Sequence, residues 1–367
     1  MIHGHRVSVD IAKGRTLVVG LALVVAAALL CVPATVQAAG DPATFVSEQF
    51  AILRSGTATE QQKARDELIS KVRGDFAMMR DAYAQAVNAE ALRLLKDTTQ
   101  IRPRLCAAIV VARVSESTGS PRLQESAIAL LNDPFEVLQI WGMRAARGLL
   151  PTLIRTNSHA AVLERMLAVV KQNPSRPLME EAFAALTPTV DLPADRAIVA
   201  AVVDPLLTLI DMRVEAYRNT APDDPANDDK PFHFLTRQGI WNQILTPTQQ
   251  KRVLAAVAQI LPKAANYSDE APAIQKEQFR TTFRNISGGV WVAADQMKWQ
   301  GLATAAKQAF DRAENPTVKL TELWPPVIQE IRKLPGYADI AAPALGTPQM
   351  RADSPLVGVT EPFRVEP

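Results

Sequence analysis

One pattern recurs between residues 41 and 340: apolar side chains at helical spacing, a short turn, and then the same again. In DFAMMRDAYAQAVNAEALRLLKD, Phe76, Met79, Tyr83 and Val87 follow at steps of three to four residues, which places them on one helix face. No stretch shows the apolar–polar alternation of a convincing strand, only 16 residues are glycine, and 5% are aromatic. The sequence therefore predicts an all-α protein.

Local signals mark where several of these helices begin. Asp41 precedes Pro42, which combines an N-cap with a proline in the first helical position. Thr57 stands three residues before Glu60, the spacing of a capping box. Pro205 lies inside the long segment PADRAIVAAVVDPLLTLIDMRVEAYRN, and we expect it to bend or split that helix.

The helical segments contain an internal repeat. Asp97 and Asp133 are 36 positions apart, each two residues after a leucine, and Asn173 follows 40 positions later. Further pairs at the 36-residue step are Ile101 with Val137, Leu105 with Trp141, and Ala112 with Gly148. We interpret the Asp or Asn as the cap of the second helix of a pair, with small residues where neighbouring helices approach closely. Such pairs bury their apolar faces by stacking on one another.

The unit LLNDPFEVLQIWGMRAARGLLPTL resembles the HEAT and armadillo-like helical repeats, with an Asp in the turn, a Val nearby and an Ala-rich second helix. It departs from the HEAT pattern because Leu138 and Gln139 follow Val137 where a Val-Arg pair is expected. The resemblance covers roughly residues 57–190 and implies a HEAT-like α-solenoid of stacked antiparallel helix pairs that binds proteins without catalysis. The alternative is an irregular helical bundle with coincidental spacing.

The N-terminus has the three parts of a secretory signal peptide, which we assign to residues 1–38. A basic leader, MIHGHRVSVDIAKGR, precedes the uncharged run TLVVGLALVVAAALLCV, and Val36 and Ala38 then occupy the −3 and −1 positions of a cleavage site. Cys31 follows Leu30, which argues against a lipoprotein signal. We expect an exported protein, periplasmic or extracellular, without a stable membrane span after cleavage. The alternative is an anchor formed by an uncleaved N-terminal segment.

The charge and cysteine content of the mature chain exclude some functions. Removing residues 1–38 takes away three of the 40 basic residues and one of the 38 acidic ones, which leaves 37 of each. A neutral chain offers no electrostatic argument for nucleic-acid binding. Cys106 is then the one remaining cysteine, so an internal disulfide is excluded, and we expect it to be a small buried core residue rather than a reactive thiol.

Composition divides the mature chain into four parts. We assign residues 41–218 to the HEAT-like domain, 219–231 to a linker, 232–340 to a second helical region, and 341–367 to a disordered or extended tail. The linker contains four acidic residues that we interpret as solvated, with a calcium site as the alternative: Asp223, Asp224, Asp228 and Asp229.

The second region contains four of the five tryptophans and the segment SGGVW, but no recognisable catalytic motif. The glycine pair is expected to break a helix or to let two helices touch, and Trp291 and Trp299 are expected in the core, with a groove lining as the alternative. His159 and His233 have no partner at metal-ligand spacing, and no G-x-S-x-G elbow occurs. We therefore expect no cofactor and no metal.

Four arginines on two of the expected second helices are the candidate partner-binding residues: Arg102, Arg104, Arg144 and Arg147. Their alternative role is an ordinary solvated helix face. We expect an exported, noncatalytic scaffold that binds another protein or an envelope component. The first alternative is an extracytoplasmic enzyme with a carboxylate- and tryptophan-lined site in the C-terminal helical region, and the second is a purely structural envelope protein.

Overall fold

The structure is a computed structural model that describes residues 40–189, 191–192, 194–219, 227–270 and 273–340. Within these ranges the regular structure consists of 15 α-helices and short 3-10 turns without any strand, which confirms the all-α prediction. The first eight helices are α1 (Pro42–Ser55), α2 (Ala58–Lys71), α3 (Arg80–Asp97), α4 (Ile101–Thr118), α5 (Gln124–Leu131), α6 (Glu136–Arg155), α7 (Ala160–Gln172) and α8 (Arg176–Leu186). The others are α9 (Arg196–Asn219), α10 (Lys230–Leu235), α11 (Ile240–Gln243), α12 (Pro247–Glu270), α13 (Ala273–Gln296), α14 (Gln300–Arg312) and α15 (Trp324–Lys333).

Several features expected from the sequence lie outside the described residues. These are the signal peptide at 1–38, the tail at 341–367, and the acidic residues Asp223 and Asp224. The helices from Pro42 onward belong to one compact unit. Among the described helices, none is both long and apolar enough to cross a membrane.

Local chemistry explains several helix boundaries. The Thr57 backbone N–H donates to Glu60 Oε2 over 2.7 Å, and the Glu60 N–H donates to Thr57 Oγ1 over 3.4 Å, which confirms the predicted capping box at the start of α2. Helix α4 ends at Gly119, whose φ of 60° lies in the left-handed region that glycine adopts without strain. Pro205 lies within the continuous helix α9, so the expected split of that helix does not occur.

The first nine helices make a regular series of contacts. Consecutive helices pack in pairs: α1 with α2, α3 with α4, α5 with α6, and α7 with α8. Helices two apart in the chain also pack, so that α1, α3, α5, α7 and α9 form one series, and α2, α4, α6 and α8 form another. Each of the first eight helices therefore packs against neighbours in both its own pair and its own series.

Two helices of the second series approach closely at a glycine. A Cβ atom added to Gly148 of α6 would lie 2.6 Å from the backbone carbonyl carbon of Ser115 and 2.7 Å from the backbone nitrogen of Glu116, both in α4. Ala112, the residue paired with Gly148 by the 36-residue step, is fully buried. Small residues do stand where these helices meet, because a side chain at Gly148 would separate α6 from α4.

The predicted capping role of the repeated Asp and Asn residues is wrong. Asp97 is the exposed last residue of α3, whereas Asp133 is buried in the turn before α6, where its Oδ1 accepts the Phe135 N–H over 3.0 Å. Asn173 donates to Glu136 of α6 over 3.2 Å rather than capping α8. The two aspartates differ because the helices before them end at different points. Helix α5 ends two residues before Asp133, whereas α3 runs through Asp97, so the two turns are built differently.

The later helices continue from α9 without an intervening sheet in the described ranges. Helix α9 packs against α12, α12 against α13, and α13 against α14, while α15 contacts both α12 and α14. The short α10 packs against α9 and α13. The start of α10 is therefore positioned by two long helices.

Candidate functional site

A cavity of about 390 Å³ opens on the surface beside α10, α13 and α14. It is lined by residues 229–237 of α10 and its flanks, by residues 285–292 of α13, and by Phe310 of α14. We call this cavity the α13 groove. Its volume is within the range of small-ligand and side-chain pockets in proteins.

The glycine pair at 288–289 lines the groove where α13 meets its neighbours. A Cβ on Gly288 would lie 2.9 Å from the Phe310 ring, and one on Gly289 would lie 2.9 Å from Thr236 Oγ1. Helix α13 runs through both positions without a break, so of the two expectations for SGGVW, the close contact between helices is the one observed. Two consecutive positions without side chains let Phe310 of α14 and Thr236, which follows α10, approach the α13 backbone on the two sides of the groove.

Aromatic side chains form the α14 side of the groove. The rings of Trp291 and Phe310 lie 6.1 Å apart between centroids at an angle of 40°. Cations lie over both rings, with Lys307 Nζ 5.1 Å from the Trp291 centroid and the Arg284 guanidinium 4.5 Å from that of Phe310. Val292 also lines the groove and is 41% exposed, which is unusual for a valine on a helix packed on several sides.

Trp299, the second tryptophan considered as a groove residue, lies elsewhere. Its ring packs edge-on against the buried Trp241 at 6.5 Å and against Tyr337 at 6.1 Å. Trp291 therefore lines the groove, as the alternative interpretation had it, whereas Trp299 packs against core residues, as expected.

Polar groups form the α10 side of the groove. Asp229 precedes α10 and its Oδ2 accepts a hydrogen bond from Asn285 Nδ2 over 2.7 Å, which ties α10 to α13. Lys230, His233 and Arg237 follow on the same short segment and line the groove. With His233 neutral, the lining carries two cations against one carboxylate.

Asp228, next to the groove, is not the solvated linker residue that the sequence predicted. It is buried, and both of its oxygens are engaged by Arg213 of α9, whose Nε and Nη2 each donate over 2.7 Å. Tyr217 Oη also donates to Asp228 over 2.9 Å. The expectation failed because the arginine that neutralises Asp228 lies on α9 and meets it only when α10 folds back against that helix.

Burial shifts the pKa values of Tyr217 and Asp228 in this cluster. Burial, followed by the nearby charge of Asp228, raises the pKa of Tyr217 well above its ordinary value, so the phenol keeps its proton and donates it. Burial also raises the pKa of Asp228, and the Arg213 guanidinium opposes that rise. The cluster attaches the residue before Asp229 to α9 and so positions the polar side of the α13 groove.

The four candidate arginines make contacts inside the protein. Arg104 pairs with Asp133, Arg144 donates to Glu181 of α8 over 2.7 Å, and Arg147 donates to Glu116 of α4 over 2.8 Å. Arg102 donates to the Ala58 carbonyl over 3.3 Å. These contacts join α2, α4, α6 and α8 across the surface of that series, and a role for the four arginines in partner binding stays a prediction.

The histidines form no metal cluster in the part of the chain that the structure describes, where no group of three or more His, Cys, Asp or Glu side chains is arranged around a common point. His159 is half-buried at the start of α7, and His233 is exposed at the rim of the α13 groove. Of the two histidines, His233 is therefore the one that lines the groove.

Cys106 is buried in α4, as predicted, and burial raises the pKa of its thiol. Because the thiolate is the reactive form, we expect the native mature protein, which lacks Cys31, to react slowly with Ellman's reagent at neutral pH and rapidly once denaturant unfolds it. A time course of thiol release with and without guanidinium checks this. Rapid release from the native protein would mean that the α4 core opens readily.

The chain matches no protein-family model, no curated protein and no solved structure. The candidate site accordingly stands on its geometry. The sequence places Trp291 beside the glycine pair, but it does not join them to His233, which lies in a different segment. A glycine pair inside an otherwise amphipathic helix was the available signal, and it gave no information about which helices lie on either side.

Proposed function

We propose that this protein is an exported, noncatalytic scaffold built as a HEAT-like α-solenoid, which binds another protein or an envelope component. The observation that carries the proposal is the double series of contacts, α1-α3-α5-α7-α9 and α2-α4-α6-α8. Stacked helix pairs produce such a pattern, and they present long surfaces that suit protein binding. The later helices, α12 to α15, then continue from the end of the stack.

Exposed apolar residues at corresponding positions support a binding role. Ile101 and Val137, which are 36 residues apart, lie in the first turns of α4 and α6 and are 42% and 39% exposed. Phe135 precedes α6 and is 45% exposed. Helices of the same series thus present apolar side chains at the same end, as a repeat protein does when it binds an extended partner.

The groove geometry favours binding over the enzyme alternative. Among the described groove residues, the carboxylate is Asp229, and it accepts a hydrogen bond from Asn285. The neighbouring buried carboxylate, Asp228, is held by Arg213 and Tyr217. A carboxylate pair for general acid–base chemistry requires two groups with different protonation in contact with the substrate, and Asp228 is committed to the fold instead.

The proposal is tested in two steps on the full-length gene product expressed in its own host. Amino-terminal sequencing of the protein recovered from outside the cytoplasm is expected to begin at Ala39, because Ala38 ends the cleavage site. Crosslinking in intact cells followed by affinity purification and mass spectrometry is expected to join the protein to one dominant extracytoplasmic protein. Retention in the cytoplasm, or crosslinks spread evenly over abundant proteins, would contradict the proposal.

A further inference from the structure

We propose that the α13 groove binds a peptide segment of a partner protein in which a bulky apolar side chain is flanked by carboxylates. This inference rests on the proposed function, since it specifies what kind of partner segment the scaffold takes. The apolar side chain enters on the α14 side of the groove, and the carboxylates face α10.

The shape of the groove selects a single large side chain. The cavity measures about 390 Å³, and the glycine pair is part of its lining. Trp291, Phe310 and the exposed Val292 provide apolar surface around that pair. A pocket of this size takes one bulky anchor rather than a long ligand, and an aromatic or branched aliphatic anchor would gain stacking and dispersion contacts with both rings.

The charges on the two sides of the groove differ. On the α14 side, Lys307 pairs with Asp311 at 2.5 Å and Arg284 pairs with Glu314 at 3.5 Å, so these cations have acidic partners within the protein. On the α10 side, Lys230 has a distant partner, Glu180, at 3.9 Å.

Arg237 provides the least neutralised charge of the groove. Its guanidinium lies 5.8 Å from the Phe234 ring centroid, and among the described residues it has no acidic partner within ion-pair distance. Together with Lys230 and the exposed His233 it makes the α10 side cationic, while Asp229 is engaged by Asn285. Carboxylates beside the anchor complement that charge, whereas a basic segment would be repelled.

The test uses a fluorescein-labelled heptapeptide with a central phenylalanine, two glutamates on each side and a glycine at each end. Fluorescence anisotropy with the purified full-length protein is expected to show saturable binding that weakens when salt is raised from 0.1 M to 1 M, because screening shortens the reach of the rim charges. Peptides with lysines in place of the glutamates, or with a central alanine, are expected to bind at least tenfold more weakly.

Two groove variants and two matched controls locate the binding site. Val292→Glu places a charge in the apolar wall and Arg237→Glu reverses the rim charge, and each is expected to weaken binding about tenfold. The controls are Met78→Glu, at an exposed apolar residue (96%) in the turn before α3, away from the groove and from the exposed positions of α4 and α6, and Arg122→Glu, at an exposed arginine in the α4–α5 connection. Both controls should bind the peptide as the wild type does. Urea denaturation verifies that all four variants are folded.

Equal affinity for the acidic and basic peptides, or equal weakening in the groove variants and the controls, would overturn the inference. The scaffold proposal is judged separately by the crosslinking experiment. If a dominant partner is crosslinked by both the wild type and Val292→Glu while the peptide does not bind, the scaffold proposal stands and the groove inference fails. If the peptide binds and no partner is crosslinked, the groove inference stands and the scaffold proposal fails.

Discussion

Replacing Gly148 with alanine is expected to lower the free energy of unfolding by about 2 to 4 kcal/mol, although alanine is the better helix former by about 1 kcal/mol. The added methyl group would lie 2.6 Å from the carbonyl carbon of Ser115 and 2.7 Å from the nitrogen of Glu116. Both atoms belong to the backbone of α4, so the contact is relieved only by moving α6 away from α4. Urea denaturation followed by circular dichroism measures the loss.

Gly74→Ala is the matched control for this substitution. Gly74 is exposed in the turn after α2, and the nearest atom to an added Cβ, the Ser70 carbonyl oxygen, lies 3.8 Å away. We expect no loss of stability in this variant, or a gain of up to about 1 kcal/mol from the restricted unfolded chain. Equal stability of the two variants would mean that α4 and α6 are not in close backbone contact, which would contradict the stacking proposed for the even-numbered helices.

Removing the guanidinium that neutralises Asp228 is expected to have an effect of similar size. Arg213→Met leaves a carboxylate buried without its counter-ion, and such losses cost about 3 to 5 kcal/mol. The Arg213 and Asp228 side chains are 12% and 4% exposed, so water compensates little for the missing partner. The free energy of unfolding from urea titration is the measurement, and the double variant Arg213→Met with Asp228→Asn should recover most of the loss because it removes the buried charge.

An exposed ion pair between α12 and α9 is the comparison for the buried Arg213–Asp228 pair. Arg252 and Asp211, the latter also on α9, lie 2.5 Å apart, but their side chains are 37% and 51% exposed. Arg252→Met should therefore change the free energy of unfolding by no more than about 1 kcal/mol. A loss as large as that of Arg213→Met, or no recovery in the double variant, would show that Asp228 is not the origin of the effect.

The groove experiment and the Arg213 variant are linked through α10. Asp228 attaches the start of α10 to α9, and the next residue, Asp229, joins it to Asn285 of α13. Arg213→Met is therefore also expected to weaken peptide binding, since it releases the segment that provides Lys230 and Arg237. Binding is in that case lost indirectly, which is why Val292→Glu, on α13 itself, is the sharper test of the groove.

The helical fold was predictable because its signals are local. The spacing of Tyr83 and Val87 puts them on one face of α3, where both are fully buried, whereas Phe76 lies before that helix begins at Arg80. The capping box of Thr57 and Glu60 involves residues within one turn, so its hydrogen bonds follow from their spacing. The repeated aspartates failed as markers because a capping role depends on where the preceding helix ends, and that point differs between α3 and α5.

The candidate site was predictable only in fragments. The sequence shows a glycine pair, a nearby tryptophan and an acidic run, and it ranks none of them above an ordinary structural role. The four arginines on α4 and α6 were the stronger signal, yet three of them form ion pairs with carboxylates within the protein. Such partners lie about 30 to 40 residues away in the chain, so their pairing is not visible in the local pattern.

The local sequence therefore determined the helices and their approximate limits, because these depend on periodicity and capping. It also determined that a small residue, Gly148, stands where helices approach closely, because that depends on side-chain size. Packing between distant segments decided the rest. It buried Asp228 against Arg213 and brought Phe310 beside the glycine pair, because burial and cavity shape depend on atoms contributed by α9, α10, α13 and α14 together.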